Sequence, residues 1–271
     1  MTPTSLEAAV NLNNKATTYM QKGDYGNATI ALSQAVIALK SPTSERHEGP
    51  LASSFSSTST VSFDLLSPKR PQWEARAATA SIGAELNNEN GSSSSSSWYL
   101  YEQSVHLNIG PQQELECGSS RDIPATVILS YAIFYNLGLC HHLDGLRAKR
   151  TAAQPTRRNA FKRAIIFYNQ AQKLLNNHGE DFLLLDSNKQ LIHSLAITNN
   201  LSHIYHCLDK EGTSNICVQR LWTAIVYHRL MDNKGARVMA NHDDLCFQGL
   251  LTNVWNRLLV VGQSAPAAAA Q

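Results

Sequence analysis

Charged side chains and long apolar runs are both scarce in this sequence of 271 residues. Charged residues make up 16% of the chain, against about a quarter in an average protein. The formal net charge is only +2, which is too small to indicate nucleic acid as a partner. No apolar run approaches the ~20 residues that span a bilayer, and the first residues have no signal-peptide pattern. We therefore expect a cytoplasmic or nuclear protein without a membrane partner.

The motifs of common enzymes and metal sites are also missing. The chain has five cysteines, and no two of them have the C-x-x-C spacing of a zinc knuckle or a redox site. It contains no G-x-S-x-G nucleophile motif, no glycine-rich phosphate loop and no H-E-x-x-H zinc motif. These absences predict a protein that is not an enzyme and that takes no cofactor, no metal and no small-molecule substrate.

Two clusters of histidine and cysteine leave a metal-binding helical protein as a weaker alternative. Each cluster has three candidate ligands on a helical pattern: Cys140, His141 and His142, and His203, His206 and Cys207. Two cysteines and two histidines are a suitable ligand set for zinc. Adjacent residues on a helix point in different directions, however, so three consecutive residues cannot all face one ion. This alternative is therefore the least favoured.

Helical periodicity runs through residues 13–39 and returns from residue 125. In the first stretch small and large apolar residues recur at spacings of three, four and seven, and Gly23-Asp24 interrupts them as a turn would. An asparagine stands two places before a small residue at three equivalent positions: Asn14, Asn136 and Asn200. The second helix of each unit repeats one spacing: Ala28, Leu32, Ala35; Ala164, Tyr168, Ala171; and Cys217, Leu221, Ala224.

These matches resemble the tetratricopeptide repeat, a helix–turn–helix unit of about 34 residues in which small residues let neighbouring helices approach closely. The resemblance implies an all-α fold of antiparallel helix pairs that stack as a short superhelix with a capping C-terminal helix. The alternative is an irregular helical bundle whose spacings match by coincidence.

The first part of the chain is predicted to contain three segments. Residues 1–40 form the first helix pair. Residues 41–97 are a serine-rich insertion, which we expect to be disordered because it has too little apolar surface to offset its ordering entropy. Residues 98–124 are an extended connector, whose alternation permits strand pairing with Val61–Leu65.

The second part is predicted to be helical up to a short tail. Residues 125–262 hold two further helix pairs and the capping helix, and the basic stretch in the middle of the second pair is an insertion between its helices. The capping helix is expected to place Val254 and Trp255 on its apolar face. Residues 263–271 are a flexible tail.

In the tetratricopeptide family the first helix of each pair lines a concave groove that holds an extended peptide or a partner helix. The resemblance implies that the asparagines face this groove, where an amide can both donate to and accept from a peptide backbone. The implied groove residues are Asn13, Asn14, Tyr135, Asn136, Leu139, His142, Asn199, Asn200, His203 and His206. Alternatively, the asparagines satisfy hydrogen bonds between helices. We thus predict a non-enzymatic scaffold or adaptor that binds another protein.

A basic stretch and a phosphorylation motif complete the candidate features. Seven basic residues occur without an intervening acid: Arg147, Lys149, Arg150, Arg157, Arg158, Lys162 and Arg163. They form either a solvated loop or the contact surface of a helical-repeat RNA-binding protein. The RNA alternative is disfavoured because such proteins need about one repeat per base. Ser67 begins Ser-Pro-Lys-Arg, a form that proline-directed kinases favour, and is a phosphorylation candidate.

Overall fold

Helices form most of the described structure. The computed structural model describes residues 5–40, 61–63, 98, 100–109, 125–151, 154–232 and 248–257. Its helices are α1 (Ser5–Gln21), α2 (Tyr25–Lys40), α3 (Ala125–Thr151), α4 (Gln154–Asn177), α5 (Gly179–Cys207), α6 (Glu211–Asp232) and α7 (248–257). Two strands of three residues accompany them: β1 (Val61–Phe63) and β2 (Leu107–Ile109). The fold is all-α, as the sequence predicted.

The turn between α1 and α2 forms where Gly-Asp interrupts the helical period. Gly23 has a φ of 73°, a left-handed conformation that glycine adopts without steric cost. Asp24 caps α2, because its Oδ1 accepts a hydrogen bond from the backbone N–H of Asn27 at 3.2 Å. Hydrogen bonds from the side chain and then the backbone of Asn27 lower the pKa of Asp24. α1 and α2 pack together as a helix pair.

Small residues also let α3 and α4 pack closely. A Cβ added at Gly138 would lie 2.7 Å from the ring of Tyr168, and one added at Gly145 would lie 2.7 Å from the ring of Phe161. Both rings are fully buried. The two helices are longer than predicted, because helical backbone extends into the stretch that the sequence assigned to an insertion.

α5 and α6 meet at a pair of buried serines. Ser202 Oγ donates to the carbonyl oxygen of Ser214 at 3.0 Å, and Ser214 Oγ donates to that of Ser202 at 2.9 Å. These reciprocal bonds require the two backbones to lie close together. At the turn between the helices Asp209 has a φ of 58°, a conformation that aspartate tolerates better than most residues.

α7 buries a different face from the predicted one. Leu250 and Val254 are buried, but Trp255 is 61% exposed. The polar Asn253 and Arg257 are buried instead. The prediction for Trp255 is therefore wrong. The buried positions follow one another at helical spacings of three and four, and Trp255 does not lie on that face.

The connector is extended in its described part, residues 98 and 100–109. Its last residues form β2, which pairs antiparallel with β1, so that Phe63 lies opposite Leu107. The pairing that the alternation permitted is thus present.

The chain divides into two compact units. The first contains Met1–Leu66 and Gln103–Gln190, and the second contains Ser67–Glu102 and Leu191–Gln271. Apart from β1, the predicted disordered insertion lies outside the described residues, as does the predicted tail. In the part of the chain that the structure describes, no helix combines the length and apolar character needed to span a bilayer.

Candidate peptide-binding site

Asn136 of α3 holds one residue of the extended connector in the first unit. Its Oδ1 accepts a hydrogen bond from the backbone N–H of Val105 at 2.8 Å, and its Nδ2 donates to the carbonyl oxygen of Val105 at 2.8 Å. The side-chain amide thus pairs with both backbone groups of a single residue. Asn136 is completely buried, so these bonds form away from water.

α1 supplies two more asparagines to the same stretch. Asn14 accepts from the N–H of Leu107 at 3.0 Å and donates to its carbonyl oxygen at 2.6 Å. Asn13 donates to the carbonyl oxygen of Val105 at 3.0 Å and accepts from Nδ2 of Asn136 at 2.9 Å. These asparagines thus bond between helices and also hold an extended backbone, which here belongs to the chain itself.

Asn200 of α5 makes the same kind of pair in the second unit. It accepts from the N–H of Tyr101 at 3.2 Å and donates to its carbonyl oxygen at 3.0 Å. Behind it, Asn253 donates to Asn199 at 2.6 Å, and Asn199 donates to Oδ1 of Asn200 at 3.3 Å. All three asparagines are buried. A relay of amides from α7 thus orients the side chain that binds Tyr101.

Three side chains, here called the clamp asparagines, share this geometry: Asn14, Asn136 and Asn200. The residues that they bind, Leu107, Val105 and Tyr101, are separated by even numbers of positions and are all buried. Within the first unit, Val105 and Leu107 are alternate residues of an extended chain and point to the same side, which explains why both can be bound in the same way. Because these bonds to Leu107, Val105 and Tyr101 use backbone atoms, another extended chain can offer the same donors and acceptors.

Trp98 lies in a recess lined by two histidines and an arginine. Its ring stacks on His203, with 5.4 Å between ring centroids, and on His206, with 5.6 Å. The guanidinium carbon of Arg257 lies 5.1 Å from the centroid of the tryptophan ring, within the range of a cation–π contact. We call His203, His206 and Arg257 the tryptophan recess. It recognises a side chain, whereas the clamp asparagines recognise backbone.

The tryptophan recess contains a buried positive charge. Arg257 is only 8% exposed, and its Nη1 lies 3.9 Å from Oε1 of Glu211. Burial lowers the pKa of His206 and the charge of Arg257 lowers it further, whereas Glu211 acts in the opposite direction. Within the described residues Nε and Nη2 of Arg257 have no hydrogen-bond partner. The recess therefore favours a neutral His206 and holds an incompletely paired cation.

Most of the predicted groove residues contact the connector or support a residue that does: Asn13, Asn14, Asn136, Asn199, Asn200, His203 and His206. These residues of α1, α3 and α5 therefore lie against the chain's own connector or support residues that do. Leu139 is buried.

Two predicted groove residues lie on a different face of α3. The ring of Tyr135 lies 6.0 Å from that of Tyr168, and the ring of His142 lies 5.8 Å from that of Phe161. Both pack against α4, so the prediction that they share the asparagine face is wrong.

The basic stretch belongs to helices and not to the predicted loop. Nη1 of Arg147 donates to the carbonyl oxygen of Gly23 at 2.7 Å, and Arg157 lies over the ring of Phe161 at 5.2 Å. The other described side chains of the stretch are exposed on α4: Arg158, Lys162 and Arg163. The side chains of three further candidates lie outside the described residues: Ser67, Lys149 and Arg150. Arg147 thus supports the turn between α1 and α2.

The cysteine and histidine clusters contribute to packing. Sγ of Cys140 donates to the carbonyl oxygen of Tyr25 at 3.2 Å, and burial raises the pKa of this thiol to about 11. The ring of His141 stacks on Phe167 at 5.6 Å. Among the described residues no group of three or more His, Cys, Asp or Glu side chains is arranged to hold a metal ion.

Sequence reasoning missed Trp98, Asn253 and Arg257. The connector was expected to be extended, but no local pattern links it to asparagines that lie up to 99 positions away. Two signals were present in the sequence. Apolar residues stand at alternate positions of the connector. On α7 the polar residues Asn253 and Arg257 share the helical spacing of the buried Leu250 and Val254.

Comparisons with protein-family models, curated proteins and solved structures gave no significant match.

Proposed function

We propose that this chain is a non-enzymatic protein-interaction scaffold of the tetratricopeptide-like type, which holds an extended segment of a partner protein through its clamp asparagines. One observation carries the proposal: each clamp asparagine pairs the N–H and the C=O of one residue in an extended backbone. In this structure the extended backbone belongs to the connector itself.

A polypeptide fits these bonds better than a nucleic acid does. A peptide backbone presents one donor and one acceptor at every residue, and the clamp asparagines use both. Strand addition to an open sheet edge recognises peptides by the same backbone bonds. The RNA alternative depends on the basic stretch, of which Arg147 and Arg157 are engaged by Gly23 and Phe161.

The proposal can be tested with a fluorescein-labelled peptide that has the sequence of residues 98–107. The full-length chain with Val105→Pro is the receptor, because proline lacks the N–H that Asn136 accepts in the wild type. Ser104→Pro is the matched control, since no hydrogen bond from the Ser104 N–H occurs within the described residues. Circular dichroism establishes that both variants keep their helices.

We expect the peptide to bind Val105→Pro in a saturable manner and more tightly than Ser104→Pro, as measured by fluorescence anisotropy. Adding Asn136→Ala to Val105→Pro should weaken binding by roughly tenfold, because each lost net hydrogen bond contributes ~0.5–1.5 kcal/mol. No saturable binding to either proline variant would contradict the proposal. So would binding that Asn136→Ala leaves unchanged.

A further inference from the structure

The second unit joins a side-chain contact and a backbone contact that are three residues apart. Trp98 occupies the tryptophan recess, and Tyr101 pairs with Asn200 through both of its backbone groups. An aromatic residue followed at the third position by a clamped residue is therefore the pattern that this unit accepts. The present occupant is a piece of the chain itself.

The fit of this occupant to the recess is incomplete. Arg257 is more than nine-tenths buried, yet its Nε and Nη2 have no hydrogen-bond partner within the described residues. The buried indole Nε1 of Trp98 likewise has no acceptor there. A buried polar group without a partner is costly, and a native structure that retains one does so for a reason. One such reason is that Trp98 occupies the recess only until a partner peptide with a better fit replaces it.

Resting on the proposed function, we infer that Trp98–Tyr101 is a tethered competitor for the recess and Asn200. The partner that it excludes is an extended peptide that carries an aromatic side chain three residues before the clamped residue. The aromatic ring takes the place of Trp98 against His203, His206 and Arg257, and the clamped residue takes the place of Tyr101.

Because the competitor is tethered to its own site, it competes strongly with a free peptide, but a peptide can still displace it. A segment attached to its own site acts at an effective concentration on the order of millimolar, so a free peptide of equal intrinsic affinity is largely excluded. Removing the ring of Trp98 removes its stacking and its cation–π contact. These contacts together correspond to roughly a tenfold change in affinity.

The labelled peptide with the sequence of residues 98–107 is the probe, and full-length chains are the receptors. We expect Trp98→Ala to bind the peptide about tenfold more tightly than the wild type does. Trp255→Ala is the matched control, because Trp255 is 61% exposed on α7, and it should bind as the wild type does. A peptide with alanine in place of its first tryptophan should lose roughly tenfold in affinity for Trp98→Ala, and one with phenylalanine should lose less.

Thermal unfolding establishes that Trp98→Ala is folded, and Trp98→Leu, which keeps the apolar bulk without the ring, is the second variant. Equal binding of the peptide by wild type, Trp98→Ala and Trp98→Leu overturns the competitor while the proposed function stands. Equal affinity of the tryptophan and alanine peptides overturns recognition by the recess. Failure of the peptide to bind any of the receptors overturns the proposed function as well.

Discussion

The two units hold the connector in different ways. The first unit uses amides from two helices, α1 and α3, which bond to the backbone of Val105 and Leu107. The second unit uses one clamp, Asn200, and adds a recess for the side chain of Trp98. Backbone bonds do not depend on sequence, whereas a recess of aromatic rings and a cation selects one class of side chain. The amide bonds of the first unit thus reach atoms that every residue has, whereas the second unit also contacts one particular aromatic ring.

The largest effect is expected in the first unit, at Asn136. Asn136→Leu leaves the buried N–H of Val105 and Oδ1 of Asn13 without their bonds. Each buried polar group that loses its partner costs ~1–3 kcal/mol, so the free energy of unfolding should fall by about 3 kcal/mol. Urea denaturation measures it, with Asn169→Leu on the exposed face of α4 as the control, for which a change within about 0.5 kcal/mol is expected. If the free energy of unfolding fell equally in the two variants, the buried amide of Asn136 would contribute no more to stability than an exposed one does.

The next effect compares glycines of the two units. Gly138→Ala should lower the free energy of unfolding by ~1–3 kcal/mol, because the new methyl group meets the buried ring of Tyr168. Gly212→Ala should be neutral or stabilising by up to ~1 kcal/mol, since no atom lies within 4 Å of the new Cβ. Denaturation midpoints of the two variants give the comparison. Equal midpoints would contradict the close packing of α3 on α4.

A smaller effect is expected at the clamp of the second unit. Asn200→Leu removes two bonds to Tyr101 and a 3.3 Å bond from Asn199 of the same helix, whereas Asn136→Leu also breaks a 2.9 Å bond between two helices. We expect the free energy of unfolding to fall by ~1–2 kcal/mol, less than for Asn136→Leu. The same denaturation series provides the measurement. A loss larger than that of Asn136→Leu would reverse the ranking of the two units.

The smallest effect is expected from pH: the contact between Trp98 and the tryptophan recess should become less stable as the pH falls. Burial and Arg257 lower the pKa of His206 in the folded state from the ordinary 6.5. Above pH 6.5 this histidine is neutral whether or not the recess is intact, and its contribution is complete. As the pH falls below 6.5, His206 is protonated in the opened recess but stays neutral in the occupied one. Protonation therefore favours the opened recess, and the occupied recess loses stability until the pH reaches its own lowered pKa.

Trp98 fluorescence reports this change in a variant whose other tryptophans, Trp73, Trp222 and Trp255, are replaced by phenylalanine. We expect the emission maximum to move to longer wavelength between pH 7.5 and the lowered pKa. His206→Gln, which cannot titrate, should flatten the profile. Glu211 and Asp209 oppose the effect of Arg257, so a shift toward shorter wavelength would show that the two acids dominate.

Features with a regular sequence period were the predictable ones. Asn14, Asn136 and Asn200 were identified because each stands two places before a small residue, and Gly138 shows why that residue is small. The direction of Tyr135 was predicted incorrectly, because its ring packs against Tyr168 of α4.

Long-range partners could not be read from the sequence. Tyr101 and Asn200 are 99 positions apart, and no periodicity relates them. The described part of the segment predicted to be an extended connector lies against the asparagines. In the same way, Ala148 falls in a stretch that was expected to be a polar insertion, yet only 8% of it is exposed, because α3 continues through it.

Residue-resolved hydrogen exchange by NMR tests the central claim most directly. The account predicts slow exchange for the backbone N–H groups of Tyr101, Val105 and Leu107, which the clamp asparagines accept, and fast exchange for that of Ser104. Asn136→Ala should accelerate exchange at Val105 more than at Tyr101. Uniformly fast exchange across residues 101–107 would show that the asparagines do not hold this backbone and would contradict the account.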